Sequence, residues 1–282
     1  MSFPNFLLIM NIMIWNSKGA LKPNFQSYVR ELAQNHDLAI MVIMETKIGG
    51  ERAKEITDQL PFDMAIHTET IGYAGGLWLL WNSDRVEVSL LSKTKQEIHV
   101  TVKVCALNFS WLFSAVYASP RIEERSILWN NLFSLAELQS MAWFIARDFN
   151  EPLLDEDKFG GRNISLNRSL LFKYYLDKCN MIDLGFLGPR FTWTNGRELS
   201  ALIQERIDRF FVNPNWCSTF PEARVSHLTR CHSDHCPVLL ETPTVTFISQ
   251  GLSNFRTVGC LTLPSPGLFR VPGTTPNLFK EP

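Results

Sequence analysis

The chain has few features of a metal-stapled, disulfide-bonded or membrane-bound protein. Its six cysteines include no Cys-x-x-Cys pair, so the sequence indicates neither a structural zinc site nor a dense disulfide framework. We expect reduced and mostly buried thiols. The chain also lacks a membrane-length apolar run, and its first ten residues show neither a basic segment nor a small-residue cleavage site. The sequence therefore predicts no membrane partner and an intracellular location.

An excess of basic charge is also missing. The formal net charge is −1, from 27 Lys and Arg against 28 Asp and Glu. A protein that binds nucleic acid through its whole surface is usually strongly basic, so any nucleic-acid site here must be local. Nothing in the composition indicates an obligate protein partner.

What the chain does contain is enough apolar sequence for one large domain. With 282 residues and 45% hydrophobic residues, it can bury a sizeable core. Apolar runs typical of strands alternate with segments of helical spacing. The strands are predicted at residues 10–15, 38–44, 75–81, 85–91, 97–104, 110–117, 141–146, 207–212 and 237–241, and the helices at 24–35, 122–139 and 166–178. Helices that interrupt strands singly favour a layered α/β sandwich over a bundle or a barrel.

The end of the chain has a different composition. Five of the fifteen prolines follow residue 260, and the apolar periodicity stops near Leu240. Proline lacks the backbone N–H that helices and sheets require. The sequence therefore predicts a domain over residues 8–243 and a Pro-rich, mostly disordered tail over 244–282.

Polar side chains repeatedly follow or interrupt the strand-like runs. Strand ends are where sheet proteins build sites, although a single Asp there is more often a turn or a helix cap. Carboxylate and amide oxygens without cysteine suit Mg²⁺ or Mn²⁺, and an Asp-His pair suits proton transfer beside a phosphate. The residues in such positions are Asn16, Glu45, Asp148, Asn150, Asp208, Asp234 and His235.

The flanks and order of these residues resemble those of the endonuclease/exonuclease/phosphatase superfamily, which includes deoxyribonuclease I and the apurinic/apyrimidinic endonucleases. The similar segments are WNSKG (15–19), METK (44–47), VYASP (116–120), RDFNE (147–151), FTWTN (191–195), ERIDRFFV (205–212) and HSDHCPV (232–238). The resemblance implies a four-layer α/β sandwich, in which two mixed sheets pack face to face between helices. GGLWLLW (75–81), FTWTNGR and RIDR look most like the endonuclease domain of plant LINE-type retrotransposons, which implies a DNA substrate and a nuclear location.

The resemblance also implies roles for the matching residues. Glu45 and Asn16 would hold or support the metal ion, with Asp234 on the same side. Asp148 and Asn150 would position or deprotonate the attacking water. The remaining implied roles are a phosphate contact by His235, orientation of His235 by Asp208, and a phosphate-oxygen contact by Tyr117.

A separate aromatic and basic segment is a candidate for substrate contact. Trp193 lies in a loop-like stretch with Arg190 and Arg197 close by, a mixture suited to base stacking and phosphate binding. The alternative is that Trp193 belongs to the core, since tryptophan is often largely buried.

One position departs from the superfamily pattern. Arg147 stands where the GDFN signature has glycine, directly before Asp148. An Arg there can pair with Asp148 and lower its basicity. Three functions therefore stay open: an active DNA-nicking endonuclease, a catalytically silent domain that retains at most nucleic-acid binding, and a phosphatase of the same superfamily.

Overall fold

The computed structural model describes residues 10–70, 75–105, 109–119 and 121–242, apart from the side chains of Ile122, Glu123 and Arg147. The strands are β1 (Met10–Asn16), β2 (Leu38–Met44), β3 (Met64–His67), β4 (Leu77–Trp81), β5 (Val86–Lys93), β6 (Glu97–Val104), β7 (Ser110–Tyr117), β8 (Trp143–Asp148), β9 (Lys158–Phe159), β10 (Ile182–Asp183), β11 (Trp193–Thr194), β12 (Gln204–Glu205), β13 (Asp208–Val212), β14 (Arg224–His227) and β15 (Val238–Thr242). The α-helices are α1 (Phe25–Asn35), α2 (Gly50–Thr57), α3 (Ile122–Leu138), α4 (Leu166–Lys178) and α5 (Pro214–Thr219).

Two six-stranded sheets form the centre of the domain, with strand orders β14-β15-β1-β2-β4-β3 and β10-β13-β8-β7-β6-β5. Each sheet contains one parallel pair, β1 with β2 and β7 with β8, and the other neighbours are antiparallel. Helix α1 connects the first parallel pair and α3 connects the second. A small sheet of order β11-β12-β9 stands apart from these two.

The sheets pack face to face, with helices on their outer faces. Val42 of the first sheet and Phe113 and Phe144 of the second belong to the same buried cluster. A second cluster joins the outer face of the first sheet to α1 and α2, and a third joins the outer face of the second sheet to α3 and α4. Because both faces of β2 are covered, its run LAIMVIM is buried throughout and shows no alternation. The prediction of a four-layer α/β sandwich with two mixed sheets is confirmed.

Three further expectations concern the cysteines, membrane-spanning segments and the domain boundary. All the described cysteines are free, but Cys105 and Cys231 are exposed while Cys179 and Cys236 are buried, so burial of most thiols was wrong for this part of the chain. No helix in the described ranges is long and apolar enough to cross a membrane. Residues 243–282 lie outside the described part of the chain, so the domain boundary stays a prediction.

Candidate active site

The topology brings the carboxyl ends of both parallel pairs to one edge of the sandwich. Asn16 is the last residue of β1, and Glu45 directly follows β2. In the other sheet, Tyr117 ends β7 and Asp148 ends β8, where the two are register partners. The Asn16 Nδ2 atom donates to Asp148 Oδ2 over 2.9 Å and so joins the two sheets.

Two further residues reach this edge from antiparallel strands. An antiparallel strand begins where its neighbour ends, and Asp208, the first residue of β13, pairs in register with Asp148. His235 lies just before β15, which runs antiparallel to β1. The Nδ1 atom of His235 lies 2.9 Å from Asp208 Oδ2, and its Nε2 atom lies 4.0 Å from Asp148 Oδ2.

Glu45 is held by neutral donors on one oxygen. Its Oε1 atom accepts hydrogen bonds from Asn16 Nδ2 and from the Tyr117 hydroxyl, each at 3.0 Å. No hydrogen bond to Oε2 is found among the described residues, so this oxygen is available to a ligand.

The backbone around the site is strained. Lys18, Glu45 and Lys47 have φ angles of 53°, 49° and 61°, in the left-handed region that residues other than Gly, Asn and Asp rarely enter. Such outliers cluster where surrounding structure fixes a functional group.

Gly76 is a supporting residue that the sequence analysis missed. Its carbonyl accepts the N–H of Thr46 at 3.2 Å, and its φ is +89°. A Cβ at this position would lie 2.3 Å from Thr46 Oγ1. Glycine is therefore required for the close approach that holds the turn carrying Glu45.

Asp208 is fixed by a buried ion network on β13. Arg206 Nη2 lies 2.8 Å from Asp183 Oδ1, and Arg209, which is 1% exposed, pairs with both Asp157 and Asp183. These arginines flank Asp208 in the RIDR segment and tie β13 to β10 and to the turn at 155–157. Buried pairs of this kind are weak evidence for net stability. Here they fix the strand end that presents Asp208.

Burial and charge perturb the two groups that face each other across the site. Burial, together with the nearby Asp208 carboxylate, raises the pKa of Asp148 to about 7. Burial alone would lower the pKa of His235, but the Asp208 carboxylate and its hydrogen bond outweigh it and raise that pKa to about 9. In the metal-free protein His235 is therefore an imidazolium at neutral pH.

Three side chains bring possible metal-ligand atoms together, of which His235 could bind an ion only as a neutral imidazole. The ligand atoms of Glu45, Asp148 and His235 lie within 4.8 Å of one another, and no other group of at least three His, Cys, Asp or Glu residues in the described ranges does so. Two carboxylates in a buried, strained site fit a hard divalent cation. The sequence predicts that Glu45, Asn16 and Asp234 hold or support the metal ion. In the structure Asn16 directs its amide N–H to the carboxylates of Glu45 and Asp148, and Asp234 Oδ2 accepts hydrogen bonds from Lys18 and from Trp193 Nε1.

Asn150 is joined to the site by hydrogen bonds to Asp148 and Ala118. Its backbone N–H donates to Asp148 Oδ1 at 2.9 Å, and its Nδ2 atom donates to the Ala118 carbonyl at 2.8 Å. The amide thus fixes the loop after β8 and one oxygen of Asp148.

The aromatic and basic candidates separate in the structure. Trp193 is half-buried and lies at the site, where its Nε1 atom donates to Asp234 Oδ2 at 2.9 Å and its backbone forms a bridge with His235. It does not belong to the described core clusters. Arg190 is exposed and donates to the Glu156 carbonyl, and Arg197 lies on the exposed turn after β11. No hydrogen bond or ion pair within the described residues joins either arginine to the polar cluster.

Comparison with known proteins decides the family. The model of the Endonuclease/Exonuclease/phosphatase family matches residues 13–235, which span every residue of the polar cluster. The chain belongs to this family. No curated protein matches the chain in sequence.

Several solved structures share the fold of this endonuclease/exonuclease/phosphatase domain. The AP endonuclease LMAP from Leishmania major has a TM-score of 0.66 and 15% identity, covering 84% of this chain and 88% of that one. The endonuclease domain of TRAS1, a telomere-specific non-LTR retrotransposon, has a TM-score of 0.63 and 15% identity, covering 83% and 98%. The 3' phosphatase NExo from Neisseria, bound to a product DNA hairpin, has a TM-score of 0.62 and 19% identity, covering 83% and 99%. At these identities the likeness shows the fold.

Proposed function

We propose that this domain is a Mg²⁺-dependent, or Mn²⁺-dependent, endonuclease that nicks DNA. The observation that carries the proposal is the grouping of Glu45, Asp148 and His235, with Asp208 behind His235. It places two carboxylates and a charged imidazole at one point, which is the chemistry that hydrolysis of an anionic phosphodiester requires.

The residues present fit a metal-assisted hydrolysis. Glu45, through its open Oε2, and Asp148 would hold the ion. When bound, the divalent ion offsets the charge that develops on the phosphate oxygens during attack by water. Asn16 donates to both carboxylates and keeps them at a fixed separation without adding charge.

Asp148 is the residue we assign to the attacking water. Its Oδ1 atom is held by the backbone N–H of Asn150 and its Oδ2 by Asn16, so the carboxylate has a fixed direction. Its pKa is about 7 without a metal ion, and a bound cation would keep the carboxylate ionised, so that it can accept a hydrogen bond from the water and orient it.

His235 is the residue we assign to the scissile phosphate. Asp208 holds its Nδ1 atom, which leaves Nε2–H to donate to a phosphate oxygen. The Tyr117 hydroxyl, whose pKa is raised by burial and by Glu45, stays protonated. It donates to Glu45 Oε1 in the metal-free protein and would have to turn from Glu45 to the phosphate to make the contact that the family resemblance implies.

DNA as the substrate and a LINE-type retrotransposon as the origin are the finer parts of the proposal. The motifs FTWTN and RIDR support them, as does the fold shared with a retrotransposon endonuclease domain. Half-buried Trp193 is suited to stack on a base, and exposed Arg190 and Arg197 are suited to phosphate contacts. A nuclear location follows from this origin.

Nicking of supercoiled plasmid tests the proposal. We expect nicking with Mg²⁺, none with chelator, and none with Glu45→Ala, whereas Glu222→Ala on the exposed surface should nick like the parent. Release of phosphate from small phosphate esters without nicking would favour the phosphatase alternative. Failure of both reactions in a folded protein would identify a silent domain.

A further inference from the structure

The acidic side chains of the site differ in whether a cationic side chain contacts them. Glu45 and Asp148 receive hydrogen bonds from neutral donors, namely Asn16, Tyr117 and the backbone of Asn150. Among the described side chains, the cationic group that pairs with Asp148 is His235, whose Nε2 atom lies at 4.0 Å, beyond hydrogen-bond distance. When Asp148 is ionised, these two carboxylates carry a combined charge of −2, which one divalent ion balances.

Asp234 also borders the site, but a cationic side chain contacts it. The ammonium of Lys18 pairs with its Oδ2 atom, and Trp193 Nε1 donates to the same oxygen at 2.9 Å. Within the described residues, the one hydrogen-bonding group near its Oδ1 atom is the Ser233 hydroxyl, at 3.4 Å. Burial raises the pKa of Asp234, but the hydrogen bond from Lys18, the charge of His235 and the hydrogen bond from Trp193 outweigh burial and hold that pKa below its usual range.

The Lys18 ammonium is held in this place by the backbone. Lys18 has a left-handed φ of 53°, and its N–H donates to Asn16 Oδ1 at 3.1 Å. On the Asp234 side of the ion pair, the hydroxyl of the neighbouring Ser233 donates to the Asn16 carbonyl at 2.7 Å. Lys18 and Ser233, the neighbour of Asp234, therefore both bind Asn16, which contacts both Glu45 and Asp148.

We propose that the Lys18 ammonium substitutes for a second metal ion at Asp234 and so limits the site to one divalent ion, held by Glu45 and Asp148. This inference rests on the proposed metal-dependent function. An ion next to Asp234 would have to displace Lys18 and Trp193 from Oδ2 or bind Oδ1 beside the ammonium, where like charges repel. Mg²⁺ and Mn²⁺ bind through as few as one or two carboxylates with water completing the shell, so Asp234 without Lys18 is a sufficient ligand for a weak second site.

Counting bound Mn²⁺ by electron paramagnetic resonance tests this on the full chain without DNA, so the readout does not depend on activity. We expect the parent to bind one ion and Lys18→Met to bind a second, weaker one. The double variant Lys18→Met/Asp234→Asn should return to one ion, because the freed carboxylate is gone. Lys18→Gln, which keeps a polar side chain, should behave like Lys18→Met.

Lys22→Met is the matched control. Lys22 lies in the same charge environment, but its ammonium donates to the carbonyls of Ser17 and His232 and not to Asp234. It should leave the count at one. Two ions in the parent, one ion in both Lys18 variants, or two ions in Lys22→Met would each overturn the inference while leaving metal dependence intact. A parent that binds no Mn²⁺ would refute the proposed metal-dependent function, and the inference with it.

Discussion

The hydrogen bond between Asp208 and His235 makes a quantitative prediction for Asp208→Asn. The substitution preserves shape but removes the negative charge 2.9 Å from His235 Nδ1. The charge and hydrogen bond of Asp208 are the largest of the effects that raise the pKa of His235 to about 9 against burial, with smaller effects from Asp148 and Asp234, so that pKa should fall in the variant toward the ordinary value of about 6.5. If it reached that value, the imidazolium fraction at pH 8 would drop from about nine tenths to under about a twentieth.

The same shift predicts how stability depends on pH. A group whose pKa is raised on folding stabilises the protein fully below its unfolded pKa and loses that contribution as pH rises through the folded value. For His235, which is 2% exposed, the contribution is on the order of 3 kcal/mol below about pH 6.5 and is lost by about pH 9. Removing the Asp208 charge also lowers the pKa of Asp148, so ionised Asp148 costs less stability in the variant than in the parent at high pH. The difference in the free energy of unfolding between parent and variant should therefore shrink as pH rises.

A proton NMR titration of His235 in chelator measures the first effect, with His235→Gln to assign the signal. Urea denaturation at pH 6 and pH 9 measures the second. Asp177→Asn, on the exposed face of α4, serves as the control and should change neither quantity. A His235 pKa that stays near 9 in Asp208→Asn would refute the electrostatic account of this pair.

Three other predictions concern separate parts of the chain. Arg147→Gly, at a position whose side chain lies outside the described residues, should raise plasmid nicking. The change removes a bulky side chain next to Asp148, and a misplacement of Asp148 by about 1 Å can lower the rate on the order of 10²-fold. Equal rates in both proteins would show that Arg147 is harmless. Deletion of residues 244–282 should shift the calorimetric melting temperature by less than about 3 °C, since little apolar area is expected there; a drop of many degrees would move the boundary. Phe144→Ala should cost about 3–5 kcal/mol in urea denaturation, because Phe144 is fully buried and stacks on Phe113 at 4.3 Å; a loss below about 1 kcal/mol would mean that the core refills the cavity.

The elements that sequence predicted share strong periodicity or unbroken apolar character. Helix α4 occupies the predicted range 166–178, and β2 the predicted range 38–44. Elements that the sequence analysis missed are short or polar. Helix α2 buries only Ala53, Ile56 and Thr57, so its eight residues carry too few apolar positions to reveal a period. Strand β14 has only four residues and takes its place from pairing with β15.

The candidate site divides in a similar way. The amino-acid sequence by itself determined which residues are candidates for the chemistry, because acidic, amide and His side chains stand in a recognisable order at strand ends. Only the tertiary structure decided their partners, since contacts such as Asn16 with Asp148 join residues 132 positions apart in the chain. Asp234 shows the difference: the sequence placed it beside the metal ion, while the fold gives its Oδ2 atom to Lys18 and Trp193. Residue type and spacing follow from local order along the chain, whereas the direction of a carboxylate depends on strands that meet only when two sheets pack.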